Sequence, residues 1–194
     1  MKTGISRTAA FAAATLLAAL PGCLNTSRYD GPPPEWAAAT KPIAGARIDL
    51  SGYYANAGQN RGVKNADGSP FLEELFGPRT VAGSRARGVW MRHPAPDQLQ
   101  VAFDRGKGPE AEQSISVRTD PSTGAVTLPA RDASMAQAQG MMAMTGSTTI
   151  SLFKGGDGHL YGRFSTSRAG VVMAVIPLGQ TEEGWVRWAP ASPR

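Results

Sequence analysis

The chain has 194 residues, 41% hydrophobic and 18% charged, with 23 glycines, 15 prolines, two histidines and a single cysteine. That length allows one ordinary domain plus whatever is removed from its ends, and the glycine and proline content predicts many turns and few long helices. Two histidines exclude a multi-histidine zinc site, and a net charge of +5 scattered along the sequence is too weak for a nucleic-acid interface.

Residues 1–22 read as an export signal. Lys2 and Arg7 form a positive start, and Ala9–Leu20 forms an apolar run. The run is shorter than the roughly 20 residues a membrane span needs, but it suits a signal peptide. No twin-arginine pair is present, so the general secretory route is the simpler reading. Loss of Lys2 and Arg7 with this leader lowers the net charge to about +3.

Leu20-Pro21-Gly22-Cys23 follows at once. This run resembles the lipobox of bacterial lipoproteins, with Pro21 standing where alanine or serine is commoner. The resemblance covers residues 1–23 only. It implies a diacylglyceryl group on the Cys23 thiol, palmitate-type acylation and cleavage between Gly22 and Cys23. Leu24 in place of an aspartate implies sorting to the outer membrane, facing the periplasm. An ordinary secretory signal would instead need a small-x-small cleavage site, which Leu20-Pro21-Gly22 does not supply. It would also leave an unpaired thiol on an exported protein. Acyl chains contribute about 0.8 kcal/mol per buried methylene, so two or three of them hold a protein stably to a bilayer.

Residues 23–46 are predicted to be a flexible tether. Pro32-Pro33-Pro34 favours extended polyproline II, and Pro42 and Gly45 break any helix around Trp36. Such a tether reaches several tens of ångströms unless Trp36 packs on the domain and shortens it. Residues 47–194 are the predicted β-rich domain. It opens with the strand-and-turn run IDLSGYYANAG, and one short helix is expected over Phe71–Phe76. Ser69 would cap that helix, Pro70 suits its first turn and Gly77 would stop it.

The rest alternates as strands. Leu99, Val101 and Phe103 are separated by polar residues, as are Ile115 and Val117, and Ile150 and Leu152, although Phe153 falls on the polar side. Leu160 and Phe164 oppose His159, Tyr161 and Arg163 in the same period of two. Val171–Ile176 is continuously apolar, the pattern of a strand covered on both faces, and Gly184–Trp188 makes a closing strand. The run KGGDGH between two strands predicts a hairpin turn. Ala133–Gly146, rich in alanine, glutamine and methionine, is either a short helix or a crossing loop. The expectation is a mainly β chain: a single small antiparallel domain of about eight or nine strands, a curled sheet or lipocalin-like barrel in preference to a sandwich, with one short helix.

Catalytic motifs are scarce. No G-x-S-x-G elbow, phosphate loop or dinucleotide fingerprint occurs. Ser151 and Lys154 match S-x-x-K, but on a strand residues three apart point to opposite faces. Met135, Met141, Met142 and Met144 could offer soft ligands to Cu(I), yet they lack a repeated spacing and a nearby histidine, and methionine commonly fills irregular gaps. Glu73/Glu74, Glu110/Glu112 and Glu182/Glu183 are read as solubilising pairs. Trp90, Trp185 and Trp188 are read as core or rim residues. The stripe His159, Tyr161 and Arg163 is the candidate ligand-binding surface, for an anionic or aromatic ligand; otherwise it is the solvent face of a half-buried strand.

The expected role is non-catalytic binding or assembly at a membrane surface. The partners would be the membrane itself through Cys23, and an envelope protein or small ligand. Neither cofactor, metal nor nucleic acid is expected. A lipocalin-like carrier of a small apolar or anionic ligand is the alternative, and it requires an apolar cavity beside inward residues such as Gly162 and Phe164. An envelope hydrolase ranks third.

Overall fold

The computed structural model describes residues 23–27, 32–36, 49–61, 71–76, 85–107, 110–120, 122–132, 135–136, 142–172 and 176–193. Among them are thirteen strands: β1 (Cys23–Ser27), β2 (Gly52–Ala55), β3 (Gln59–Arg61), β4 (Gly88–Ala95), β5 (Gln98–Asp104), β6 (Gln113–Ser116), β7 (Arg118–Thr119), β8 (Val126–Thr127), β9 (Arg131–Asp132), β10 (Met135–Ala136), β11 (Met142–Lys154), β12 (Leu160–Val172) and β13 (Ile176–Trp188). The chain is mainly β, as its alternation predicts. The count exceeds eight or nine because several strands are two or three residues long, too short to show a period.

The strands form two sheets. The smaller runs β2-β4-β5-β6, all antiparallel. The larger runs β1-β13-β12-β11-β8-β7, with β3 added on β13 and β9 and β10 on β11. It is antiparallel except where β1 lies parallel to β13. Neither sheet closes into a barrel. Instead both bury one face in a common core, with Tyr54, Val89, Met91, Leu99, Val101 and Phe103 from the smaller sheet meeting Val126, Ile150, Leu152, Leu160, Val186 and Trp188 from the larger. The residues after β13 tie the sheets together, since Ala55 N–H donates to Ala189 O (2.9 Å) and Ala191 N–H donates to Tyr53 O (2.9 Å). Two open sheets on one core therefore replace the expected single curled sheet or barrel. Periodicity shows which residues face inward but not how many sheets share them.

The carrier alternative requires a cavity beside inward Gly162, and the space there is filled. A Cβ there would lie 3.0 Å from the ring of Trp188, which is fully buried. The glycine makes room for an indole, and no void the size of a ligand separates them.

Two local expectations change. Val171–Ile176 is not one strand. Val171 and Val172 end β12, Ile176 begins β13, and Val172 pairs antiparallel with Ile176, so the chain reverses within the apolar run. No glycine, proline, asparagine or aspartate marks that reversal, and a continuous apolar run carries no period to reveal it. The Ala133–Gly146 stretch is strand where it is described, with Met135 opposite Met144 and Ala136 opposite Ala143; Met141 lies outside the described residues. The short helix does form, as a single 3-10 turn over Leu72–Leu75, burying Leu72 and Leu75. Phe71 occupies its cap position without a side-chain hydrogen bond, and Ser69, Pro70 and Gly77 lie outside the described residues. The expected hairpin at Gly155–His159 is present, closed by Gly155 N–H to His159 O (2.9 Å), with Gly158 at a φ of +80°.

Candidate functional site

The outer face of the larger sheet, turned away from the shared core, carries the candidate stripe. Because side chains alternate along a strand, Leu160 and Val186 point into the core while Tyr161 and Trp185 point out. Tyr161 is nevertheless completely buried, and Trp185 nearly so. Phe153 stacks on Tyr161 at 5.5 Å between ring centroids and meets Trp185 edge-on at 5.8 Å. Trp36, from the expected tether, closes the group 6.0 Å from Tyr161 and is itself buried. Phe153, which breaks the alternation of its strand, is thus a member of a second, aromatic cluster.

Two contacts of Trp36 and an ion pair of its neighbour hold this segment in place. The Trp36 backbone N–H donates to Pro33 O at 2.8 Å, bending the chain within the proline run. The Arg187 guanidinium sits 4.8 Å from the centre of its ring, a cation–π contact worth about 0.5–1 kcal/mol at an exposed site. Beside it Glu35 pairs with Arg61 of β3 at 3.1 Å. Residues 23–27 also lie on this sheet, as β1. Both described pieces of the 23–46 segment therefore rest against the larger sheet.

At the end of the stripe, one oxygen of Asp157 accepts from the Tyr161 hydroxyl (2.7 Å) and lies 3.0 Å from His159 Nδ1. Burial works to raise the Asp157 carboxyl, but the Tyr161 hydrogen bond, the His159 backbone N–H and the His159 ring outweigh it and hold it below the usual carboxylate range. Burial, reinforced by the bond to Asp157, pushes the Tyr161 phenol up to about 12. Arg163 is exposed and donates from Nη2 to both oxygens of the mostly buried Glu183, at 3.1 and 3.0 Å. The three stripe residues are thus each engaged within the chain. With Trp36 in place a ligand on this face meets His159 and Arg163, while the Tyr161 ring is covered.

Other sequence candidates separate in space. Ser151 and Lys154 both stand on β11 and diverge as strand geometry requires. The Ser151 hydroxyl lies 3.3 Å from Thr127 Oγ1, and Lys154 Nζ donates to Ser51 O at 2.8 Å. His93 is buried on β4 of the smaller sheet, and His159 sits in the β11–β12 turn of the larger. Trp90 pairs with Tyr53 at 4.7 Å. A cleft of about 370 Å³ is lined by Tyr53, Arg87, Asp104, Ala191 and Ser192. A groove of about 430 Å³ runs along residues 116–118 and 127–130 with Thr149.

Glu73 escaped the sequence reading. Taken there as a solvated carboxylate, it is buried. It accepts from Asn56 Nδ2 (3.0 Å) and Ala86 N–H (3.1 Å), and pairs with Arg105 at 3.3 Å. Its own N–H donates to Asn56 Oδ1 at 2.9 Å. This network fastens the 3-10 turn to the end of β2 and the start of β4, and is structural in form. Glu183 also departs from the solvated reading, because Arg163 covers it. Glu74, Glu110, Glu112 and Glu182 pair with Arg85, Arg105, Arg92 and Arg168.

The chain matches no protein-family model, no curated protein and no solved structure.

Proposed function

We propose that the protein is a bacterial envelope lipoprotein, anchored through acylated Cys23, that acts as a binding or assembly module without catalysis. The observation that carries this reading is the single cysteine, directly after an apolar leader, in the run Leu20-Pro21-Gly22-Cys23. Leu24 favours the outer membrane, facing the periplasm. The working surface is the outer face of the larger sheet, where His159 and Arg163 flank an aromatic cluster and an envelope protein is the favoured partner. A lipocalin-like carrier is less well supported, because neither sheet closes and Trp188 takes the space beside Gly162.

Mass spectrometry of the mature N-terminus tests the anchor. The expected product begins at Cys23 and carries the mass of a diacylglyceryl group with or without an amide-linked chain. Cys23→Ser should block that processing and remove the added mass. A mature chain with an unmodified N-terminus at another residue would overturn the reading.

A further inference from the structure

Among the described residues, the end of the larger sheet nearest Cys23 carries no charged residue. Cys23 pairs with Leu178, Leu178 with Gly170, Gly170 with Met144 and Met144 with Met135, which places all five in one row across the sheet. Past that row, away from the core, the described residues are Ala136, Met142, Ala143, Val171, Val172, Ile176 and Pro177. In sequence, Met173-Ala174-Val175 links β12 to β13, and Gln137-Ala138-Gln139-Gly140-Met141 links β10 to β11, uncharged but with two glutamines. Val171 among them is exposed, at 41%. Toward the core, charge returns with Arg168, which pairs with Glu182 at 3.5 Å.

The direction of β1 gives this patch its meaning. Because β1 is parallel to β13, the chain enters at the apolar end and runs toward the core. Ile176 stands two residues, about 7 Å, farther out than Leu178 along the strand. From this geometry we infer that the β12–β13 end, with the adjoining start of β11, dips into the lipid bilayer beside the acyl chains. The inference takes its orientation from the acylated Cys23 proposed above. A bilayer that receives the lipid of Cys23 lies at or beyond the row that Cys23 occupies, where the described residues of the sheet are apolar or small. Unpaired backbone groups at a sheet end are costly in hydrocarbon, so insertion is shallow, about 5–10 Å, at the headgroup–acyl boundary.

The test uses the mature acylated chain in vesicles of phosphatidylethanolamine and phosphatidylglycerol. With Cys23 acylated, Val171→Cys supplies the free thiol for a fluorophore, and Thr149→Cys, exposed on the core half of β11, supplies the control. Brominated phospholipids should quench the label at 171 several-fold more than the label at 149. Equal quenching at the two sites overturns the inference, even where mass spectrometry shows Cys23 acylated. Selective quenching at 171 in a chain whose Cys23 proves unmodified would support the lipid-facing end while removing the lipoprotein reading. Both sites are exposed, and unchanged circular dichroism of each labelled chain confirms that the fold is kept.

Discussion

Glu73 draws together Asn56, Ala86 and Arg105, which lie in three separate stretches of chain. A buried carboxylate is tolerated only when its lone pairs are met, and removing it leaves donors buried without their acceptor. Glu73→Ala is therefore expected to cost about 2–4 kcal/mol, read as a lower denaturant midpoint with an unchanged slope. Glu73→Gln keeps one acceptor oxygen and much of the shape, so its loss should be smaller. Equal losses in the two variants would mean that the second carboxylate oxygen and its charge, and not the shape of the side chain, set the cost. None of this was legible in the sequence, where Glu73 stands beside Glu74 in a short amphipathic turn. The two differ because their partners are remote: Glu73 turns toward Asn56, while Glu74 meets Arg85 with both side chains partly exposed.

At the scale of elements, alternation located β5, β11 and the core half of β12, where one face is apolar and the other polar, but not β4. Leu99, Val101 and Phe103 of β5 and Ile150 and Leu152 of β11 reach the core as read. It failed where both faces are apolar for different reasons. Phe153 looked like an error of pattern because its cover, Trp36, comes from more than a hundred residues away. The stripe itself was legible as a shared face, but its burial was not, since nothing local announces that a distant tryptophan will lie on Tyr161. That docking can be tested by Trp36→Ala, which removes the cap from Tyr161 and Trp185. The cost should reach up to about 3 kcal/mol, toward the low end for an aromatic truncation because the cluster is peripheral. Collisional quenching of the remaining tryptophan fluorescence should rise, and protease should cut sooner within residues 28–48. Unchanged quenching and cleavage would show that the 32–36 segment contributes nothing to holding the outer face closed.

At the scale of the molecule, β11, β12 and β13 are each thirteen residues long and run from the shared core to the apolar end. The same three strands thus join the packing of both sheets to the surface inferred to meet lipid. Because one core unites the sheets, the chain should unfold as a single cooperative unit, and damage at the centre should be felt in both. Gly162 is the point to probe. Its missing side chain admits the Trp188 ring, so a larger residue must push that ring or the backbone aside. Gly162→Val should cost about 1–3 kcal/mol through overpacking. The shift should be the same whether unfolding is followed by far-ultraviolet circular dichroism or by tryptophan fluorescence, because no part of the core can relax alone. Two separated transitions would show instead that the sheets fold independently, and that the stability of the core is not transmitted along the long strands to their apolar end.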